Sequence, residues 1–175
     1  MLLRERGITM PVVVLNADAD SFDAMAANRL EPEIYSLRSL HEFAAAVERY
    51  GEQRYPIHVK LDTGMHRLGF VEEELPALLD ALARCGRTVR VASVFAHLCT
   101  SDDPAQNDFT RLQIARFDRM SSRIAEALPY PVLRHTANSA AIERFPEAQY
   151  DMCRLGLGLY GFGFEHNAAL RPVST

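Results

Sequence analysis

Lysine is almost missing from this chain. Among 175 residues Lys60 is the one lysine, against eighteen arginines, so chemistry that needs a side-chain amine has a single candidate here. Tryptophan is absent, and cysteine is limited to Cys85, Cys99 and Cys153. An odd number, widely spaced and without C-x-x-C, excludes a disulfide framework and a thiolate zinc site, and fits a reduced, cytoplasmic compartment. No run approaches the ~18 uninterrupted apolar residues of a membrane span. The opening "MLLRERGITM" has no apolar stretch behind its arginines, so it does not read as a secretory signal. Positive charge is not in excess: 19 basic against 23 acidic residues give a net charge of −4, which excludes the broad basic face that nucleic acid requires. What is present is ordinary for one globular domain with a real core, 48% apolar and 24% charged.

Extended and helical patterns alternate along the chain. "PVVVLNAD" and "LEPEIYS" read as extended. "SLHEFAAAVERYG" places Leu40, Phe43, Ala44 and Val47 on one helix face and stops at Gly51, with Ser39 and Glu42 in capping-box spacing. "YPIHVKLDTGM" is extended. "EEELPALLDALARCG" has acids in its first turn, Pro76 near its start and Gly86 at its end. "TVRVASVFAHL" is extended, and the long "DFTRLQIARFDRMSSRIAEAL" carries Phe109, Leu112, Ala115, Phe117, Met120, Ile124 and Leu128 at helical spacing. "YPVLRHTANSAAI" and "YDMCRLGLGLYGFGF" complete the pattern as extended segments. Strands alternating with helices predict parallel βα units, about six of them. A complete (β/α) barrel has eight strands in ~250 residues, so the expected fold is α/β: a small open sheet or an incomplete (β/α)8 barrel of the TIM type.

Polar residues gather at the predicted strand ends, the catalytic face of a barrel. Lys60 precedes the turn "DTGMHRLGF", with Arg67 seven residues on. Burial and a neighbouring cation favour a neutral amine. Such a lysine forms a Schiff base, takes up carbon dioxide to become a carbamate that pairs with Arg67, or simply extends out of the core as a structural residue. In "RHTANSAAI", Asn138 and Ser139 suit an anion, or an Asx turn that caps a helix. "CRLGLGLYG" puts Arg154 before Gly156, Leu157 and Gly158. Glycines let backbone amides approach a phosphate, or they pack a barrel strand. His97 lies at another strand end. His97, His135, Asp102 and a carbamylated Lys60 would resemble a two-metal set, but H-x-H is lacking, so no metal is expected and a hydrogen-bonded core histidine is the alternative.

Taken in order, "HVKLDTGMHRLGF", "RHTANSAAI" and "DMCRLGLGLYG" resemble alanine racemase. "LRERGITMPVVVLN" is similar to that family's second helix and third strand, and "ALRPVST" to the first strand of its C-terminal β-domain. The resemblance implies strands three to eight of a barrel binding pyridoxal 5'-phosphate over residues 1–165, the start of a truncated β-domain over 166–175, and a head-to-tail homodimer as the complete protein. It implies interconversion of L-alanine and D-alanine for cell-wall peptidoglycan. By resemblance Lys60 matches a lysine carbamylated in many members, whose carbamate holds Arg67 near the cofactor's phenolic oxygen and the substrate carboxylate. His97 stands beside the pyridine ring and bonds Arg154, which donates to the pyridine nitrogen. Ser139, with the backbone of Gly156 and Leu157, binds phosphate, and Asn138 neighbours that shell.

The sequence departs from the family at two turn positions: His66 stands for a usual glycine and Leu155 for a usual proline. The "KANAYGHG"-like motif bearing the Schiff-base lysine does not occur, nor does the tyrosine of the C-terminal domain. The expectation is therefore a fragment that is inactive alone, with Lys60 as a positioning group. The alternatives are a non-catalytic module binding phosphate or pyridoxal phosphate, and a fragment without ligand competence.

Overall fold

A computed structural model describes residues 2–164, 167 and 169–173. In chain order the elements are α1 (Leu2–Glu5), β1 (Val13–Val14), α2 (Phe22–Ala27), β2 (Glu31–Ile34), α3 (Leu37–Arg49), β3 (Tyr55–Lys60), α4 (Leu75–Arg84), β4 (Val89–Phe95), α5 (Asn107–Ala127), β5 (Leu133–His135) and α6 (Ser139–Arg144). The strands follow chain order, β1-β2-β3-β4-β5, in one sheet. β1 pairs with β2 and β2 with β3, both parallel, with Glu33 opposite His58. The predicted βα alternation is therefore present. The chain divides into two compact units, residues 1–60 with 68–93, and residues 61–67 with 94–175.

In the first unit, α3 buries Leu40, Phe43, Ala44 and Val47, the face its spacing predicts. Leu40, Phe43 and Val47, fully buried, each contribute roughly 1.5–3 kcal/mol. Phe43 packs edge-on against Phe22 and Tyr55, each at 5.3 Å between ring centroids. The start of α3 differs from expectation. Its N-cap is Ser36, whose Oγ accepts from Ser39 N at 3.1 Å, while Ser39 Oγ accepts from Ser36 N at 3.1 Å. Ser39 is thus the third helical residue, and Glu42 pairs with Arg38 at 2.8 Å. Ser36 is preferred because its extended backbone leaves its hydroxyl aimed at the first free amides. Gly51 ends the segment at φ +67°, as read from the sequence.

In the second unit, α5 buries Thr110, Gln113, Ile114, Phe117, Met120, Ser121 and Ile124. Leu112 and Ala115, expected on that face, point outward. The face is rotated because two polar residues are satisfied inside it: Thr110 Oγ1 lies 2.9 Å from Thr100 Oγ1, and Gln113 binds the loop after β4. Leu98, Ile114, Ala137, Ala141, Phe145 and Ala148 form the unit's apolar core around α6.

A sixth strand was expected at residues 150–164, and it is not among the described elements. The segment starts in ladder fashion, with Asp151 N donating to Arg134 O and Arg154 N to Ala137 O. It then leaves the extended state: Leu157–Tyr160 is a 3₁₀ turn. Amides of this segment turn to a side chain, Ser139 Oγ, rather than to a neighbouring strand, and Leu155, Leu157, Leu159, Tyr160 and Phe162 are exposed. The domain boundary expected at 165/166 lies outside the described residues. No helix among the described residues is long and apolar enough to cross a membrane.

Candidate functional site

Ser139 lies at the start of α6 because Asn138 caps that helix. Asn138 Oδ1 accepts from Ala141 N at 3.0 Å and from Ser101 Oγ at 2.8 Å, and its Nδ2 donates to Leu98 O at 3.0 Å. The Asn138 side chain is therefore engaged in fixing α6 to the loop after β4, which is the capping role left open by the sequence. Ser139 Oγ accepts from Gly156 N at 2.9 Å and from Gly158 N at 3.1 Å. Two amides and a hydroxyl converge on a half-exposed point, with Leu157 between them presenting its side chain outward. Both amides donate to the hydroxyl oxygen, whose own proton is the donor left over; a phosphate here would take that proton and compete for the amides.

Arg154 is held through both terminal nitrogens of its guanidinium. Its Nη2 donates to Ala96 O at 2.7 Å and to Thr136 O at 3.2 Å. Its Nη1 lies 2.9 Å from His135 Nδ1 and 3.3 Å from His135 O. The guanidinium also stands 5.3 Å from the centroid of the Phe95 ring, and the His135 ring stacks on the same Phe95 at 5.0 Å, only 1° from parallel. Arginine can only donate, so His135 Nδ1 must accept and its proton must reside on Nε2. His135 is thus described against Arg154, a contact the sequence analysis gave to His97 without bringing in His135. A buried histidine two residues from a buried carbonyl run gave no periodic signal that could have separated the two.

His97 is half-buried on the loop after β4. Its carbonyl accepts from Gln113 Nε2 at 3.2 Å, and Gln113 Oε1 accepts from Cys99 N at 3.2 Å. Gln113 is fully buried, so one α5 side chain fixes the backbone on both sides of Leu98. The "DTGMHR" turn belongs to the same unit. Asp62 Oδ1 accepts from Gly64 N at 2.9 Å and from His66 N at 3.1 Å, and Arg116 Nη1 donates to Thr63 O at 3.2 Å. Gly64 sits at φ +133°, where an added Cβ would come within 3.0 Å of Phe109 Cζ. His66 adopts φ +54°. That left-handed backbone explains why glycine suits the position and what histidine must tolerate there. Arg67 follows on the exposed side of this turn.

Lys60 belongs to the first unit and ends β3. Its Nζ lies 3.3 Å from Glu33 Oε1, with side-chain exposures of 8% and 3%. The second oxygen of Glu33 accepts from Asn16 N at 2.5 Å. Two residues earlier on the same strands, His58 joins Glu31 Oε2 at 2.7 Å and Ser93 Oγ at 2.6 Å. The acid–base ladder was visible as Glu31 and Glu33 in "EPE" facing His58 and Lys60 in "HVK": alternate residues share one face of a strand. Sequence reasoning weighed Lys60 against Arg67 alone and missed Glu33. Among the described residues no group of three histidine, cysteine or carboxylate side chains is placed to hold a metal ion.

Comparison with known proteins places the chain in a family. The sequence model of the family described as "Alanine racemase, N-terminal domain" matches residues 1–163. The alanine racemase of Symbiobacterium thermophilum is 37% identical over 163 residues, which is 91% of this chain and 42% of that protein. The crystal structure of alanine racemase from D-cycloserine-producing Streptomyces lavendulae superposes with a TM-score of 0.86 at 28% identity, over 98% of this chain and 47% of that one. Alanine racemase from Bartonella henselae, solved with covalently bound pyridoxal phosphate, shares the fold at 21% identity and a TM-score of 0.76, over 94% of this chain and 47% of that one. The fold class is thus an incomplete (β/α)8 barrel, and this chain spans less than half the length of these relatives. Motif order, the arginine–serine–glycine arrangement in the second unit and similarity along nearly all the chain converge: the chain belongs to the alanine racemase N-terminal domain family.

Proposed function

We propose that the complete protein interconverts L-alanine and D-alanine with pyridoxal 5'-phosphate, and that this chain supplies the ring and phosphate contacts. The observation that carries the reading is Arg154, fixed by Ala96 O, Thr136 O and His135 in the same unit as Ser139 and its two glycine amides. When bound, the cofactor supplies an electron sink for the substrate's Cα–H bond. Ser139 Oγ and the backbone of Gly156 and Leu157 would hold its phosphate, with Asn138 positioning Ser139. His97 would stand beside its ring. Arg154 would donate to the ring nitrogen.

An arginine in that place has a consequence. Its guanidinium stays protonated and only donates, so it does not hand the ring nitrogen a proton. An acid in its place would. The sink is therefore kept shallow, which favours quick return of a proton to Cα over other fates of the substrate. Racemisation needs this, with proton donors and acceptors on both faces. Arg67 would orient the substrate carboxylate, and Lys60 would act as a positioning group. The anchoring lysine and the second-face tyrosine would come from parts of the protein outside these residues, the tyrosine from a C-terminal β-domain. A cytoplasmic homodimer serving peptidoglycan synthesis is the context the resemblance supports.

The chain by itself fits a second reading, a phosphate-binding module without turnover, because its one lysine is engaged by Glu33. One experiment separates the two. The full-length protein, loaded with pyridoxal phosphate, is assayed for D-alanine formation from L-alanine beside the isolated chain. Turnover by the full-length protein and none by the chain is expected. No turnover by the full-length protein would overturn the racemase reading.

A further inference from the structure

Of the uses open to a lysine at this strand end, the carbamate requires a specific step. The amine lone pair forms an N–C bond to carbon dioxide, the nitrogen releases one proton, and a neutral or cationic side chain becomes an anion. The Glu33 carboxylate beside Lys60 opposes both requirements. Its Nζ is in an ion pair with Glu33 Oε1 at 3.3 Å, and an ammonium has no lone pair to offer. The product would place a second negative charge beside Glu33, which is only 3% exposed, and like charges in a buried site disfavour each other. Nor can Glu33 readily turn aside, since its other oxygen accepts from Asn16 N at 2.5 Å.

We propose that Glu33 holds Lys60 as an ammonium and keeps carbon dioxide off it, so that the carboxylate at this place is the protein's own and not one derived from carbon dioxide. Glu33 becomes a positioning residue whose charge does not vary with the bicarbonate supply. The proposal concerns one ion pair within the first unit and does not rest on racemase activity.

The test uses the full-length protein in ¹³C-bicarbonate at neutral pH, read by carbon NMR. The wild type is expected to show no lysine carbamate resonance, and Glu33→Gln, which keeps shape and loses charge, is expected to gain one. The double variant Glu33→Gln/Lys60→Arg, which has no amine at this place, should lose it again. A carbamate signal from Lys60 in the wild type, or no signal in the folded Glu33→Gln variant, overturns the proposal. Should Glu33→Gln fail to fold, nitrogen NMR of Lys60 Nζ in the wild type decides: an ammonium resonance supports the proposal and a carbamate N–H resonance overturns it.

Discussion

Lys60 at the end of β3 in the first unit and Arg154 on the segment after α6 in the second are both basic side chains, yet they are held in opposite ways. Lys60 meets a buried carboxylate, so charge is matched by charge. The described partners of Arg154 are carbonyls, an accepting imidazole nitrogen and the Phe95 ring, which fix its direction. The first arrangement suits a group that shapes the site from within. The second suits a group that presents a donor to a ligand. The comparison teaches that a lone lysine in a catalytic motif need not be the reactive amine, and that the kind of partner is more informative than the residue type.

The largest effect should come from breaking the charge match. Lys60→Met leaves Glu33 buried and unpaired, and should destabilise the full-length protein by about 3–5 kcal/mol in urea denaturation. Adding Glu33→Leu should recover most of this, leaving a deficit of about 1 kcal/mol from the Asn16 amide that loses its acceptor. If the double variant were as unstable as the single one, the ion pair would not be the reason. Arg154→Lys keeps the charge and removes the fork. A stability loss of about 1–3 kcal/mol is expected from the unmet carbonyls of Ala96 and Thr136, with a fall in kcat exceeding any rise in KM. An unchanged kcat would show that direction does not matter at this residue.

A smaller contrast lies in two tyrosines, one in each unit. Burial pushes Tyr55 up to about 12, helped by Glu31, and burial pushes Tyr150 up to about 12, helped by Asp118. Both folded values lie above the ordinary value of 10, so the stability each contributes is full below pH 10 and is lost as pH rises from about 10 towards about 12. Ultraviolet titration of the folded protein should show two phenols ionising well above pH 10, and their ionisation should coincide with alkaline unfolding. Ionisation of both near pH 10 with the fold intact would contradict the burial described here. The smallest effect is expected at the turn. His66→Gly relieves a left-handed backbone costing about 1–2 kcal/mol but adds unfolded-chain freedom worth about 0.4–1 kcal/mol, for a net gain of about 0.5 kcal/mol measured by thermal denaturation. A loss would mean that the 3.4 Å contact between His66 and Asp62 outweighs the strain.

Much of the second unit was legible because its site lies in contiguous motifs. Ser139, Arg154 and Gly156 are read directly from "ANSAA" and "RLGLG", although their contacts reach along the chain, from 17 residues between Ser139 and Gly156 to 58 between Arg154 and Ala96. The helix face of α3 was legible for a different reason: its burial is apolar and follows the helical period. Three features were not. Gln113 and Thr110 are buried polar residues, so an apolar count rotated the face of α5. His135 was hidden because its partner, Arg154, is nineteen residues away and reached through the fold. Glu33 pairs with Lys60 across neighbouring strands, and only the register of β2 on β3 brings them together. The expected sixth strand failed on local chemistry. An extended glycine-rich pattern does not specify a strand when a serine hydroxyl competes for its amides.

The central claim is that Lys60 supports the site while another lysine anchors the cofactor, and one measurement bears on it most directly. The full-length protein, saturated with pyridoxal phosphate, is reduced with borohydride, digested, and its labelled peptide sequenced. The account predicts a single labelled lysine outside these 175 residues and an unmodified Lys60. A label on Lys60, or no label anywhere, would contradict it.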